Sequence, residues 1–293
     1  MSALVETVDG GTTRLIDLGS VTLHVDLVGE GPPILFLHGF PEGRRAFAPV
    51  AHRLSDTSRA ILPDQRGYGG SSRPVAAGAY AIDKLVDDAA RLIDALGYDR
   101  VTVAGHDWGG IVAIALASHH PDRVERLILA NAPHPSALRA ALLDDRAQAA
   151  ASDYLARLRG PDPEQLLLAD GPASAWDRIF AGTPIDSATR QAMISDWSVA
   201  GTVNTMCRWY CDNPYLTAPA HQVSPPWNEG GLRVTAPTLL LWGMQDRALQ
   251  PSLIGRSAAY FDRIDIVRLY DAGHDIIHTR ADKVARHIRE YLA

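Results

Sequence analysis

Short apolar runs alternate with helical patterns on both sides of residues 136–228, and this alternation limits the fold more than any other feature. The candidate strands are residues 21–28, 34–37, 60–62, 101–104, 127–130, 238–242 and 264–267. The first alternates with period two, which predicts an edge or half-exposed strand, and the second is predicted to be buried. Because helical patterns separate the strands, we predict an α/β fold with a mostly parallel sheet and helices on both faces.

Residues 136–228 interrupt this alternation. They contain no convincing strand, only helical stretches broken by Gly and Pro. We therefore predict a core domain formed by residues 1–135 and 229–293, and an inserted helical cap (lid) domain at residues 136–228. Ligands of open α/β sheets bind beyond the carboxyl ends of the strands, so we expect the cap to cover that edge. In the core, Asp83 is predicted to cap a helix that Gly97 ends.

Charge and composition exclude several classes of partner. The net charge is −6, from 28 Lys and Arg against 34 Asp and Glu, so a nucleic-acid partner lacks electrostatic support. No apolar stretch reaches the ~18 residues of a membrane span, and residues 1–11 lack the pattern of a signal peptide. Two cysteines, Cys207 and Cys211, are too few for a disulfide framework. We predict a reduced, cytoplasmic protein, with a homodimer left open.

One strand leads into the glycine-rich turn Gly105-His106-Asp107-Trp108-Gly109-Gly110, and a helix follows. Glycines two residues before and after Asp107 match the nucleophile-elbow pattern, with Asp in place of the usual Ser. In such a turn the central residue is strained and its side chain is exposed, and small neighbours allow the strand and helix to approach. The helix N-terminus also favours a negative charge. The simpler alternative is an Asp that only caps the helix.

Three motifs stand in the same order and spacing as in one known family. They are His38-Gly39-Phe40-Pro41, Asp64-Gln65-Arg66-Gly67-Tyr68-Gly69 and the turn around Asp107. With them the chain resembles the α/β-hydrolase family, and within it the epoxide hydrolases, over essentially its whole length. The resemblance implies the α/β-hydrolase fold, with the histidine base at His274 and its orienting acid at Asp246. It leaves Asn131 at an alternative acid position, where an amide cannot serve. Asp246 as a loop cap and His274 as a surface turn residue are the structural alternatives.

A carboxylate nucleophile suits attack on an sp³ carbon, because the product is an ordinary ester that water can then hydrolyse. Epoxides and alkyl halides both fit this chemistry. The resemblance implies two cap tyrosines that donate to an epoxide oxygen: Tyr154, in a predicted helix over residues 151–158, and Tyr210 rather than Tyr215. It also implies an oxyanion hole from the Phe40 and Trp108 backbone N–H groups. His38 and Pro41 are expected beside them, in the same substrate-binding loop.

The sequence therefore favours a cofactor-independent, metal-free epoxide hydrolase acting on a small apolar epoxide. A haloalkane dehalogenase with the same three residues is the first alternative, although Phe40 stands where a halide-binding Asn or Trp is expected. A ligand-binding protein without catalysis is the second. Residues Trp108 and Ile111, at positions where arginines would hold a substrate carboxylate, argue against an anionic substrate. The roles of His134 and of Asp275, which follows His274 where the family usually has an aromatic residue, stay open.

Overall fold

One nine-stranded sheet forms the centre of the protein. The computed structural model describes residues 4–6, 11–216, 224–227 and 231–293. The strands are β1 (Leu4–Glu6), β2 (Gly11–Asp17), β3 (Thr22–Val28), β4 (Pro33–Leu37), β5 (Arg59–Pro63), β6 (Val101–His106), β7 (Val124–Ala130), β8 (Thr238–Gly243) and β9 (Ile264–Leu269). They lie in the order β1-β2-β3-β5-β4-β6-β7-β8-β9.

The six strands from β5 to β9 in this order are parallel to one another, and β1 to β3 add an antiparallel edge. All six residues of β6 are buried, because the strand has a neighbour on each side and helices above and below. Parallel strands end at the same edge, so the turns that follow β4, β6, β7, β8 and β9 converge there. The predicted mostly parallel sheet is confirmed.

Helices cover both faces of the sheet. The α-helices are α1 (Ala48–Leu54), α2 (Ile82–Ala95), α3 (Trp108–His119), α4 (Pro135–Asp144), α5 (Arg146–Ala151), α6 (Leu155–Leu158), α7 (Pro163–Leu167), α8 (Pro172–Ile179), α9 (Ser187–Trp197), α10 (Thr202–Asp212), α11 (Ser252–Ala258), α12 (Ile276–Thr279) and α13 (Ala281–Leu292). Two short 3₁₀ helices lie at Arg44–Phe47 and Pro214–Leu216. Helices α2 and α3 bury Leu92 and Val112 in one apolar cluster, whereas α1 and α13 bury Val50 and Ile288 in a second. No described helix is long and apolar enough to cross a membrane.

Helices α4 to α10 lie between β7 and β8, and we call them the inserted segment. Described residues from α4 to the second 3₁₀ helix form only helices and turns. The indole N–H groups of Trp197 and Trp209 donate to the backbone oxygens of Pro41 and Arg66, each at 3.2 Å, and so attach the segment to the core. The cap boundaries at residues 136 and 228 stay a prediction.

Of the two alternatives predicted for β3, an edge strand or a half-exposed strand, the structure shows the half-exposed strand. Strand β2 pairs with β3 along its whole length, from Gly11 opposite Val28 to Asp17 opposite Thr22, and β5 pairs on the other side. The period-two pattern corresponds to the half-buried Thr22 and His24, which alternate with buried residues at the start of β3. A pattern within one segment reports which face of a strand is exposed and carries no information about its neighbours in the sheet.

The start of α2 also differs from the prediction. Ala81, not Asp83, is the N-cap residue, and its side chain makes no capping bond. The Ile82 N–H instead donates to the side-chain oxygen of Asn213, 131 residues along the chain, at 2.8 Å. At the other end, Gly97 has a φ of +78° just beyond the C-cap, as predicted for a glycine that ends a helix.

We expect Asn213→Ala to destabilise the protein far more than Asp83→Ala. Asn213 is fully buried and also donates to the Tyr80 and Trp209 backbone oxygens, both at 2.8 Å. Its loss leaves several buried polar groups unpaired, for about 2–4 kcal/mol. The exposed Asp83 contributes a helix-dipole interaction and a solvent-exposed ion pair with Lys84 at 3.4 Å, together about 0.5–1 kcal/mol. Urea unfolding of both variants measures the difference, and equal losses would contradict this account of the helix start.

Candidate active site

Asp107 lies in the turn between β6 and α3 with a strained backbone. Its φ is +51° and its ψ is −124°, a conformation that a residue with a side chain rarely adopts. The surrounding backbone approaches too closely for other residues: a Cβ added to Gly109 would lie 2.0 Å from the Leu37 carbonyl oxygen, and one at Gly105 2.5 Å from that of Gly109. The glycines therefore permit a turn that presents the Asp107 carboxylate at the sheet edge.

Backbone N–H groups approach this carboxylate. The Phe40 N–H donates to Asp107 Oδ1 at 3.0 Å. Trp108 is the first residue of α3, so its N–H belongs to the first turn, whose N–H groups have no partner within the helix. The Phe40 N–H is thus placed as a donor at the Asp107 carboxyl group, whereas the oxyanion hole formed by Phe40 and Trp108 stays a prediction.

His274 faces Asp107 from the turn after β9, and Asp246 supports it from the loop after β8. His274 Nδ1 is 2.7 Å from Asp246 Oδ2, and Nε2 is 3.7 Å from Asp107 Oδ2. The backbone N–H groups of Ala248 and Leu249 donate to Asp246 Oδ1 at 2.8 and 2.9 Å. With one ring nitrogen held by a fixed carboxylate, the other is aimed at Asp107.

Charge determines the protonation of this pair. Burial works against the imidazolium, but the charge and hydrogen bond of Asp246, with the charges of Asp107 and Asp275, raise the pKa of His274 to about 10. Burial likewise opposes the Asp246 anion, but the His274 charge together with hydrogen bonds from His274, the Leu249 N–H and Asn131 lowers the pKa of Asp246. The pair therefore favours a cationic His274 beside an anionic Asp246.

Asn131 supports Asp246 and was not predicted to have any role. It follows β7, has a φ of +41°, and its Nδ2 donates to Asp246 Oδ2 at 2.6 Å. Its Oδ1 accepts from the Gly243 N–H at 2.9 Å. The sequence did contain a signal for this role. Asn131 is a polar residue directly after a parallel strand, and the neighbouring strand carries the acid.

A pocket opens above Asp107 between the core and the inserted segment. It contains about 430 Å³ that no protein atom occupies, part of it continuous with solvent. The lining residues are Asp107, Trp108, Ile111, Pro133, Leu138, Ser152, Tyr154, Leu155, Tyr210, Leu216 and Leu249. Both predicted tyrosines are among them. Asp107 is the one charged residue of this described lining.

Tyr154 is not in a helix as predicted. Helix α5 ends at Ala151, and Tyr154 is the N-cap residue of the short helix α6. The turn between the two helices brings its ring to the pocket. Tyr154 keeps 39% of its surface exposed, and the protein around its phenol, together with the Asp107 and Asp246 charges, still raises its pKa above the ordinary value. The phenol is therefore a neutral O–H donor.

Tyr210, on α10, is buried against two aromatic rings. Its ring centroid lies 5.1 Å from that of Trp108 and 5.2 Å from that of Phe40, both edge to face. Burial raises the pKa of this phenol well above its usual value. The Tyr215 hydroxyl donates to Asn213 Oδ1 at 2.8 Å, and Tyr215 is not among the residues lining the pocket.

His38 and Pro41 support the loop that carries Phe40 and do not line the pocket above Asp107. His38 Nε2 accepts from the Gln65 N–H at 3.1 Å, while Nδ1 lies 3.0 Å from the Gly39 oxygen. Pro41 follows a cis peptide bond, and its backbone oxygen accepts from Trp197. Substrate contact by either residue stays a prediction.

A buried Glu42 behind His274 was also not predicted. Its carboxylate lies 2.5 Å from His278 Nε2 and 3.5 Å from His106 Nδ1, and these two histidines hold its pKa far below the usual range in spite of burial. The His106 ring centroid is 4.7 Å from that of His274. Two signals were present: Glu42 directly follows the motif at 38–41, and His278 lies one helical turn after His274.

His134 has a structural environment. It is fully buried, stacks on Tyr260 at 4.1 Å, and accepts the Ser136 N–H at the start of α4. Burial lowers its pKa to about 4, so the ring is neutral. No group of three or more His, Cys, Asp or Glu side chains in the described part of the chain is arranged to hold a metal ion.

We expect Asp246→Asn to lower the pKa of His274 from about 10 towards its ordinary value of 6.5. The raised folded-state pKa means that the pair contributes full stability below pH ~6.5 and loses it as the pH rises through ~10. Wild-type unfolding free energy should therefore fall more steeply across this range than that of the variant. NMR titration of the imidazole measures the pKa directly. The exposed Asp265→Asn is the control, and an unchanged pKa in Asp246→Asn would contradict the assignment.

The chain is similar to a family of known proteins over most of its length. The sequence matches the alpha/beta hydrolase fold family over residues 32–281. The AB hydrolase superfamily protein YfhM of Bacillus subtilis is 31% identical over 97% of this chain and 99% of its own. Epoxide hydrolase 3 of Xenopus tropicalis is 31% identical over 96% of this chain and 77% of its own. Haloalkane dehalogenase 2 of Mycobacterium bovis is also 31% identical, over 95% and 94%.

Solved structures are similar over almost the whole chain. One of the epoxide hydrolases from metagenomes of hot environments has a TM-score of 0.86 at 33% identity, covering 96% of this chain and 98% of its own. The Bacillus megaterium epoxide hydrolase in complex with an inhibitor has a TM-score of 0.87 at 26% identity, covering 95% of this chain and 99% of its own. The expected fold is confirmed. The chain belongs to the α/β-hydrolase fold family, and it is a hydrolase.

Proposed function

We propose that this hydrolase opens an epoxide to a vicinal diol through a covalent ester on Asp107. The observation that carries the proposal is that one pocket is lined by a carboxylate and by two phenols, Asp107 with Tyr154 and Tyr210. Relatives named as epoxide hydrolases, at 31% and 33% identity, support the same reaction class.

In the first step an Asp107 oxygen attacks an epoxide carbon. A C–O bond to the carboxylate forms, the ring C–O bond breaks, and its electron pair passes to the epoxide oxygen. That oxygen becomes an alkoxide and takes a proton from a phenol. Tyr154 and Tyr210 are suited to this role because their raised pKa values keep both protonated in the resting enzyme.

In the second step water attacks the Asp107 carboxyl carbon, and His274 Nε2 takes its proton. Ester formation prepares this step, because it neutralises Asp107, one of the charges that raise the pKa of His274. The imidazole can then lose its proton and act as a base. The Phe40 N–H, already bound to Asp107 Oδ1, stabilises the tetrahedral oxyanion together with the Trp108 N–H. Collapse of the oxyanion breaks the ester C–O bond, and the departing alkoxide takes the remaining proton of the attacking water, so that the diol is released and the carboxylate is restored. The proton that His274 lost before the attack returns the phenolate of the first step to a phenol, and the proton taken from water restores the cationic His274.

The pocket favours a small apolar substrate. Apart from Asp107, Ser152 and the tyrosine hydroxyls, its described lining is hydrophobic. The described lining contains no cationic side chain that would hold a substrate carboxylate. Neither a cofactor nor a metal enters the proposed steps.

Haloalkane dehalogenation is the second candidate, since the 31% identical Mycobacterium bovis relative carries that name. Its first step needs N–H donors for the departing halide. Residue 40 is Phe, whose side chain has no donor to join the Trp108 indole. The two phenols in the pocket and the absence of a side-chain donor at residue 40 favour the epoxide.

We expect His274→Gln to form the ester and then stop. Alkylation uses Asp107 and the tyrosines, whereas hydrolysis needs the base, so exposure to an epoxide should add one substrate mass. Intact-protein mass spectrometry measures this, with a panel of epoxides and alkyl halides as substrates.

The double variant Asp107→Ala/His274→Gln is the control and should stay unmodified. A folded His274→Gln protein that gains no mass with any substrate of the panel would contradict the two-step reaction. Mass gain from alkyl halides alone would favour the dehalogenase.

We expect Tyr154→Phe and Tyr210→Phe each to slow alkylation by epoxide. A hydrogen bond to the developing alkoxide contributes about 1–3 kcal/mol to the transition state, or about 5–150-fold in rate. The double variant should nearly stop the reaction. Rapid-quench mass spectrometry in the His274→Gln background isolates this step.

Tyr215→Phe is the matched control, because its hydroxyl binds Asn213 and should not affect alkylation. Unchanged alkylation in the Tyr154→Phe/Tyr210→Phe protein would remove the phenols from the mechanism.

A further inference from the structure

Asp275 connects the turn that carries His274 to the inserted segment. Its Oδ2 accepts a hydrogen bond from the Thr183 hydroxyl at 2.9 Å. Thr183 lies in the loop between α8 and α9, and both residues are half-buried. The contact thus joins the loop of the segment to the residue next to the proposed base.

The core side of this contact is fixed. The His274 backbone oxygen accepts the Ile276 N–H at 2.9 Å and lies 3.1 Å from His106 Nε2. The Asp275 backbone oxygen accepts both the N–H and the hydroxyl of Thr279, each at 2.9 Å. Because these hydrogen bonds hold the backbone of the turn, only the position of the Asp275 side chain depends on contacts with the inserted segment.

The other side of the contact is coupled to the loop of Phe40. Three residues after Thr183, Asp186 caps α9 by accepting the Thr189 N–H at 2.9 Å. At its other end α9 carries Trp197, whose indole donates to the Pro41 oxygen. A displacement of α9 would therefore disturb both Thr183 and the loop that carries Phe40.

We infer that Asp275 is a positioning residue for His274, and that Thr183 holds its carboxylate in place only when the inserted segment is seated on the core. The inference rests on the proposed function, since it assigns the contact to ester hydrolysis. A seated segment would then speed the second step, after substrate has entered, while alkylation by Asp107 and the tyrosines proceeds independently of the contact.

Charge gives this arrangement a pH signature. His274 is faced by Asp107 from the turn before α3, by Asp246 from the loop after β8, by His106 from β6 and by Asp275 on its own turn. In the ester Asp107 is neutral, so Asp246 and Asp275 are the carboxylates that still raise the pKa of His274. Removing the Asp275 charge should lower that pKa, and the acid limb of ester hydrolysis should move to lower pH.

The first experiment breaks the contact without removing a charge. Ester formed in a single turnover is followed by rapid-quench mass spectrometry. On the pH plateau, where His274 is deprotonated in both proteins, Thr183→Val should slow ester decay about five-fold, as expected for the loss of one hydrogen bond, with alkylation unchanged. Thr183→Ser keeps the hydroxyl and should restore the wild-type rate.

Ser252→Ala is the matched control. It removes another hydrogen bond between core and inserted segment, from Ser252 to Asp145 at 2.7 Å, on a different helix pair. It should leave ester decay unchanged. Equal ester decay in wild type and Thr183→Val, or equal slowing by Ser252→Ala, would overturn the inference.

The second experiment removes the charge and keeps the contact. In Asp275→Asn the amide oxygen can still accept the Thr183 hydroxyl, so the plateau rate of ester decay should stay near wild type while its acid limb moves to lower pH. NMR titration should give a lower His274 pKa in Asp275→Asn and in Thr183→Val, and the wild-type value in Thr183→Ser.

The NMR titration needs no substrate, so it tests the role of Asp275 separately from the proposed function. Absence of any ester would contradict the proposed function, whatever the titration shows. An unchanged His274 pKa in both Asp275→Asn and Thr183→Val would overturn the inference even if the ester forms.

Discussion

The close approach of backbone around Asp107 is the constraint on which the site depends. A Cβ at Gly39 would lie 2.5 Å from the Asp107 Cβ, and one at Gly110 2.1 Å from the Ala132 Cβ. Strand β6, helix α3 and the loops after β4 and β7 can meet only because these positions lack side chains. Their packing holds Asp107 at a φ that it would not adopt in a free chain, and this places its carboxylate against the Phe40 N–H. A few kcal/mol of local strain are thus offset by the buried sheet around the turn.

Buried charge is the second requirement, and it is met by hydrogen bonds from the backbone and from Asn131. Asp246 is nearly inaccessible, and an anion there is stable because two N–H groups, the Asn131 amide and His274 surround its oxygens. The same carboxylate makes His274 cationic while Asp107 is charged. In the proposed reaction, loss of the Asp107 charge on ester formation makes the imidazole available as a base. The order of the two steps then follows from electrostatics, and the contact between Thr183 and Asp275 affects only the rate of the second step.

The inserted segment adds what the sheet edge lacks. The turns after the parallel strands provide a carboxylate, an imidazole and backbone N–H groups, whereas the phenols Tyr154 and Tyr210 come from the inserted segment between β7 and β8. In the proposed function, the choice between epoxide and halide chemistry therefore depends on the segment. Trp108 is compatible with both reactions, and in the structure its indole ring packs edge to face against Tyr210. Thr183 and Asp275 connect the same segment to the turn of the base.

Much of the core was determined by the sequence itself, because its signals act over a few residues. Apolar runs predict the buried strands, Gly97 ends α2, and the glycines around Asp107 predict the tight turn. The features that only the tertiary structure decided join distant residues. Asn131 meets Asp246 across 115 positions, Asn213 replaces Asp83 at the start of α2, and β2 covers the edge of β3. Local periodicity and turn chemistry carry no information about such partners, because these contacts form only when the sheet order brings separate strand ends and helices together.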